Sequence, residues 1–153
     1  MSKISKIGVV GAGNMGSGIA QKIIQEGISV VMLDVKEEFV ERGLSNIKKT
    51  LHEAVERKIF TRDQVEAILS RITGTTDLNA LADADLVIEA VFEDKNVKSD
   101  LFKKLDNICS EKTILATNTS SFYVKEFADQ ISRKDRFIGL HYFYHPAKNR
   151  LLE

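Results

Sequence analysis

Three side chains in this sequence have the types and spacing to move a proton to or from an alcohol. His141 ends the apolar run Phe137-Ile138-Gly139-Leu140-His141. The aromatic stretch Tyr142-Phe143-Tyr144-His145-Pro146 follows it, and Glu153 lies twelve residues on from His141. A carboxylate paired to one imidazole nitrogen fixes the tautomer and stabilises the imidazolium, leaving the other nitrogen as a base. Ser120, within Asn118-Thr119-Ser120-Ser121, offers a hydroxyl donor to an oxygen undergoing oxidation or reduction. A histidine at the end of a buried strand is commonly a hydrogen-bonded structural residue, and Asn, Thr and Ser are ordinary turn residues. Their joint placement favours chemistry, that of an alcohol dehydrogenase working without a metal. No Cys/His cluster marks a metal site.

Such chemistry needs a hydride carrier, and the first thirty-four residues supply a place for one. The apolar run Ile7-Gly8-Val9-Val10 leads into Gly11-Ala12-Gly13-Asn14-Met15-Gly16, then into a helical pattern stopped by Gly27. A second run, Ser29-Val30-Val31-Met32-Leu33, ends on Asp34. Gly11 allows the tight turn, Gly13 lets backbone approach a pyrophosphate, and Gly16 lets the helix pack against the sheet. The N–H groups at the helix start face an anion. Asp34 is placed to accept hydrogen bonds from an adenosine ribose and to repel a 2′-phosphate, which favours NAD over NADP. A lone G-x-G-x-x-G is weak evidence; strand, helix and acid in this order make it specific.

The rest of the chain reads as elements that hold these residues at one edge of a sheet. A polar helix runs from about Glu37 to Lys58, with Val40, Leu44, Ile47, Leu51 and Val55 as its buried stripe. Thr50 and Arg57 share one face of it, on spacing alone a solvated face. Thr61-Arg62-Asp63-Gln64 is a capping box opening a short helix through Val65, Ile68 and Leu69. Arg71 to Thr75 is a short strand that Gly74 weakens, and Asp85 to Val91 is a strand covered on both faces. A helix from about Asn96 to Ile108 buries Val97, Leu101, Leu105 and Ile108. Thr113 to Thr117 and Phe137 to His141 are further strands. This alternation predicts a single α/β domain over residues 1–153, a doubly wound parallel sheet of Rossmann type in the order 3-2-1-4-5-6. Ligands then bind beyond the carboxyl ends of the strands, where Glu93 and Ser120 also fall.

Composition narrows the partners. With 153 residues there is room for one core, and Lys plus Arg equals Asp plus Glu at 22 each, so bulk charge points to neither nucleic acid nor an anionic membrane. A single cysteine, Cys109, excludes an internal disulfide framework and fits a cytoplasmic setting. Lys3 and Lys6 before an apolar run imitate a signal peptide, but that run carries the glycine motif. No apolar stretch approaches the roughly 20 residues of a membrane span.

The segments Gly11 to Ala20, Val87-Ile88-Glu89-Ala90-Val91-Phe92-Glu93, Asn118 to Ser121 and Gly139-Leu140-His141-Tyr142-Phe143 together resemble the 3-hydroxyacyl-CoA dehydrogenase family across essentially the whole chain. The resemblance implies NAD-dependent interconversion of L-3-hydroxyacyl-CoA and 3-ketoacyl-CoA, as in fatty acid β-oxidation. It implies His141 as general base, Glu153 as its orienting partner, and Ser120 on the reacting oxygen near the nicotinamide. Glu93 and Lys98 would contact the cofactor, with Gly11, Ala12, Gly13, Asn14, Met15, Gly16 and Asp34. Thr50 and Arg57 would contact CoA. The family's His-Phe-Phe-Asn-Pro is replaced by His141-Tyr142-Phe143-Tyr144-His145-Pro146. An ungapped alignment puts Tyr144 in place of the substrate-polarising Asn, and a one-residue insertion puts His145 there. The family also continues into a helical domain that covers the acyl chain and forms the dimer. The expectation is a cofactor domain needing that half, or a homo-oligomer. A non-catalytic NAD-binding module and a different hydroxyacid dehydrogenase are the alternatives.

Overall fold

The structure, a computed structural model, describes residues 4–153; Lys3, invoked in the leader argument, lies outside them. Six strands form one parallel sheet in the order β3-β2-β1-β4-β5-β6. They are β1 (Lys6–Val10), β2 (Ser29–Leu33), β3 (Ile72–Thr75), β4 (Leu86–Glu89), β5 (Ile114–Thr117) and β6 (Phe137–Gly139). The helices are α1 (Asn14–Gln25), α2 (Glu37–Glu56), α3 (Arg62–Leu69), α4 (Lys95–Ile108) and α5 (Val124–Ala128). The predicted sheet order is the one observed.

Register explains why the chemistry collects at one edge. Val10 pairs with Leu33 and Glu89, Glu89 with Thr117, and Thr117 with Gly139. These five residues form a single row across the sheet. Because the strands run parallel, the residues that follow them emerge together: the glycine loop after β1, Asp34 after β2, the Ala90 turn after β4, Asn118 after β5, and Leu140-His141 after β6.

Two apolar layers clamp the sheet. One gathers Val9, Ile19, Ile24, Met32, Ile47, Leu51 and Val65 from the sheet and α1 to α3. The other gathers Val87, Phe102, Leu105, Leu115, Phe127 and Phe137. In the second layer Phe137 stands edge-on to Phe102, with ring centres 4.7 Å apart, a favoured aromatic geometry. The capping box at α3 forms as predicted: the Gln64 N–H donates to the Thr61 hydroxyl and the Thr61 N–H to the Gln64 side chain.

Three expectations change. The buried face of α4 is Lys98, Ser99, Phe102 and Leu105, while Val97 is exposed. An apolar stripe predicts a helix face on the premise that lysines point outward, and here Lys98 points inward to a buried acid. Gly74 does not weaken β3; a Cβ there would overlap Val40 and press on Leu44, so the glycine is what lets α2 lie close. A short helix, α5, lies between β5 and β6, where no helix was expected.

The segment leading to His141 is anchored by a buried ion pair. Arg133 Nε donates to Asp106 Oδ1 at 2.7 Å, and the guanidinium also serves the Asp106 and Cys109 carbonyls. Burial pushes the Asp106 carboxyl up, but the Ser132 N–H, the Arg133 guanidinium and the Ser132 hydroxyl outweigh it and hold the group below its ordinary value. A carboxyl depressed in the folded state contributes stability above its unfolded pKa of about 3.9 and loses it as pH falls through the folded value. Asp106→Asn is therefore expected to lower the melting temperature at neutral pH and to narrow that gap as the solution is acidified. Thermal melts across the acid range check this, and a constant gap would contradict it.

Candidate functional site

The glycine loop is shaped by the strand ends around it. Gly11 has φ +107°, and its N–H donates to the Leu33 carbonyl at 2.7 Å; a Cβ there would overlap the Ala90 carbonyl. Only glycine reconciles that dihedral with that contact. A Cβ on Gly16 would overlap the carbonyl of Gly11 and touch Val9 of β1, so Gly16 lets the start of α1 close on the loop and the strand end, as expected. At Gly13 the situation is reversed, for a Cβ would meet no protein atom within 4 Å.

The start of α1 is open to an anion. Gly13, its N-cap, supplies no capping side chain, and the first turn carries no acid. The other helices of eight residues or more are served differently. Thr61 caps α3, Asp94 caps α4 by accepting the Asn96 and Val97 N–H groups, and α2 has Glu37 and Glu38 in its first turn. A helix of twelve residues whose terminal N–H groups face no side-chain acceptor is built for a bound phosphate.

Asp34 does more than was read from its position. Its Oδ2 accepts the Ala12 N–H at 2.7 Å and its Oδ1 the Val35 N–H at 2.7 Å. Ala12 is 3% exposed and its N–H is committed to Asp34. That bond holds the acid against the loop.

Two clefts meet at this loop. One, of about 440 Å³, is lined by Gly11, Asp34, Val35, Val91, Val97 and Leu101 among others, so the exposed Val97 is accounted for as its wall. The other, of about 340 Å³, is lined by Met15, Val91, Glu93, Lys98, Asn118, Ser120, His141 and the aromatic residues Tyr142 to Tyr144. An apolar slot beside an acid suits an adenosine, and a cavity of mixed polar and aromatic lining beside a histidine suits a reacting ring. The loop between them suits a diphosphate. These residues fit a dinucleotide.

His141 and Glu153 are brought together by backbone as well as side chain. The His141 N–H donates to the Glu153 carbonyl at 2.9 Å and the Glu153 N–H to the His141 carbonyl at 3.1 Å, with Tyr142 bridged to Leu152. Nδ1 of His141 lies 3.4 Å from Oε2 of Glu153. Asn118 fixes the segment from the other side, its Oδ1 accepting the Tyr142 N–H at 2.8 Å. Burial pushes the Tyr142 phenol above its ordinary value, so it stays a neutral wall.

Tyr144 is 72% exposed and lines both the His141 cavity and a polar cleft of about 290 Å³ that holds Asn14, Ser17, Lys49 and Thr50. His145 lines only that polar cleft; its Nδ1 accepts the Ala147 N–H at 3.3 Å. Pro146 packs where a Cβ on Gly18 of α1 would press on it. Thr50 thus reaches the site's mouth. Arg57, exposed at the end of α2, lines none of these three clefts.

Beneath Glu93 lies a network that sequence reasoning passed over. Lys98, 1% exposed, sits 2.6 Å from Glu89 and 3.0 Å from Glu93. The Thr117 hydroxyl donates to Glu89 at 2.7 Å, and the Thr119 hydroxyl donates to Glu93. Glu89 stood inside an apolar strand with nothing local to set it apart. A signal was present in the pairing of a strand-end acid with a lysine nine residues on. Among the described residues, no group of three or more His, Cys, Asp or Glu is placed to hold a metal ion, and no helix is long and apolar enough to cross a membrane.

Comparison with known proteins gives a consistent result. The family model described as 3-hydroxyacyl-CoA dehydrogenase, NAD binding domain, matches residues 6–153. A probable 3-hydroxybutyryl-CoA dehydrogenase of Deinococcus radiodurans is 47% identical over 137 residues, covering 90% of this chain and 49% of the relative. A probable 3-hydroxybutyryl-CoA dehydrogenase of Bacillus subtilis is 41% identical, covering 99% and 53%. The crystal structure of (S)-3-hydroxybutyryl-CoA dehydrogenase from Ralstonia eutropha superposes with a TM-score of 0.96 at 37% identity, covering 98% of this chain and 53% of that one. The chain spans about half the length of these relatives.

Proposed function

This chain belongs to the 3-hydroxyacyl-CoA dehydrogenase NAD-binding domain family, and from that premise we propose that it serves NAD-dependent interconversion of an L-3-hydroxyacyl-CoA and its 3-ketoacyl-CoA. The observation that carries the proposal is the meeting of two clefts at an uncapped helix start, one ending on Asp34 and the other on His141 with Ser120.

The bound dinucleotide supplies the hydride acceptor in oxidation and the hydride in reduction. The chain's own residues handle the proton and the charge. Glu153 accepts Nδ1–H of His141, which leaves Nε2 with the lone pair that takes the substrate hydroxyl proton; the imidazolium so formed is held by the same carboxylate. In the reverse direction His141 returns that proton to the carbonyl oxygen. Ser120 donates to the reacting oxygen, where charge develops. Tyr144, in the cavity with His141, takes the place of the family's polarising Asn in preference to His145; a phenol donates from a longer arm. The polar cleft at Thr50 continues from the His141 cavity through Tyr144 and is the path of the CoA arm. Arg57 stands seven residues beyond Thr50, about 10 Å along the helix, a spacing that supports a contact with the nucleotide phosphates at the far end of CoA. The whole activity belongs to the chain together with the remaining half found in its relatives, which would cover the acyl group and carry any oligomer contacts.

Arg57→Ala separates the two ends of the substrate. It is expected to raise the KM for acetoacetyl-CoA several-fold, an exposed charge-assisted contact being worth on the order of 1 kcal/mol. The KM for the N-acetylcysteamine thioester, which lacks the nucleotide, stays put. Steady-state NADH oxidation with both substrates, in the chain extended by the C-terminal half of a relative, checks this. Equal effects on both would remove Arg57 from the CoA path.

A further inference from the structure

Glu89 and Lys98 are the two most deeply buried charged side chains among the described residues, 0% and 1% exposed, and proton transfer at His141 uses neither. Glu89 stands in the last row of the sheet, between Val10 and Thr117. Its Oε1 accepts the Val91 N–H at 2.8 Å and Lys98 Nζ at 2.6 Å; its Oε2 accepts the Thr117 hydroxyl at 2.7 Å. The Thr117 oxygen accepts the Thr119 N–H at 3.3 Å, so the hydroxyl proton is directed to Glu89. Each neighbour of the carboxylate is a donor, the surrounding of an ionised acid.

Lys98 reaches from this interior pair to Glu93 at 3.0 Å. Glu93 is 38% exposed and lines the cavity with Ser120 and His141. The three charges sum to minus one. Since Lys98 is neutralised from below by Glu89, the surplus stands on Glu93, at the cavity wall.

We propose that Glu89 sets the charge of that wall: by neutralising Lys98 in the interior it leaves Glu93 as a net negative charge, which favours an oxidised, cationic nicotinamide over the reduced, neutral one. This rests on the dinucleotide reading above and adds to it a cause for preference between the two redox forms. Glu89 is a positioning residue. It touches neither ligand nor reacting atom and acts through Lys98 and Glu93.

The test is calorimetric titration of the chain with NAD⁺ and with NADH, reading the ratio of their dissociation constants. A unit charge lost from a wall of intermediate dielectric changes the affinity of a nearby cation by about 10-fold. Glu89→Gln should therefore raise Kd(NAD⁺)/Kd(NADH) by about that factor, and Glu93→Gln should do the same. The double variant Glu89→Gln/Lys98→Met removes one charge of each sign, restores minus one at the wall, and should return the ratio to that of the wild type. A merely structural anchor would weaken both forms alike and would not be rescued. An unmoved ratio in Glu89→Gln, or in Glu93→Gln should the first variant fail to fold, overturns the proposal while leaving the cofactor reading intact. A wild type that binds neither form overturns both.

Discussion

Replacing His141 with glutamine is expected to lower turnover about 10²–10⁴-fold in both directions, the usual contribution of a placed general base, while NADH binding stays at the wild-type level. The split follows from geometry. His141 hangs on backbone bonds to Glu153 and on its neighbour's bond to Asn118, so the segment keeps its path when the ring is removed. The dinucleotide's diphosphate site, at the start of α1, does not involve it. Glutamine keeps the length and polarity and cannot accept and return a proton. Glu153→Gln should give a smaller loss, since it removes an orienting charge that is 69% exposed and 3.4 Å from the ring. NADH oxidation with saturating acetoacetyl-CoA, in the chain extended by the C-terminal half of a relative, measures both. Unchanged turnover in His141→Gln would remove His141 as the general base, and tight NADH binding with no turnover in either protein would point to the non-catalytic alternative.

Gly13→Ala is expected to weaken NADH at least about 10-fold without lowering the melting temperature, because a side chain intrudes where backbone must approach the pyrophosphate. The added methyl meets no protein atom within 4 Å, and the residue's φ of −69° is open to any L-amino acid. Gly16→Ala is the control. Its Cβ would drive into the Gly11 carbonyl, so both melting temperature and affinity should fall. Parallel melts and NADH titrations of the two variants decide this. If Gly13→Ala bound NADH as the wild type does, the bare backbone there would have no ligand to serve.

What was legible in the sequence was whatever local chemistry dictates. The glycine turn, the acid after the second run and the box at Thr61 each have a local physical cause, and each stands where it was read. Sheet order followed from the alternation taken with right-handed crossovers and the doubly wound pattern that the glycine turn marks. What escaped were residues whose meaning is set by distant partners. Val97 reads as core until β2 places Val35 and Asp34 across a cleft from it. Lys98 is marked by the resemblance alone, and the buried Glu89 beneath it has no local signal in the strand. The bond from the Ala12 N–H to Asp34, which fastens the loop to the end of the second strand, has no mark in the residue types. Gly74 looked like a defect because α2, which needs the space, lies about thirty positions upstream. The pairing of His141 with Glu153 was expected from a fixed spacing, but the antiparallel backbone contact that supports it was not visible in residue types.

The edge of the sheet is expected to hold NAD, with Asp34 fastening the loop and receiving the ribose. Side-by-side fluorescence titration with NADH and NADPH, on the wild type and on Asp34→Ala, tests it most directly. Saturable NADH binding and far weaker NADPH binding are expected in the wild type. In Asp34→Ala the NADH affinity should be lower by roughly 10- to 100-fold, as when one or more hydrogen bonds to a charged group are lost, with the preference between the two diminished. Equal binding of the two dinucleotides by the wild type, or an NADH affinity indifferent to Asp34, would contradict it.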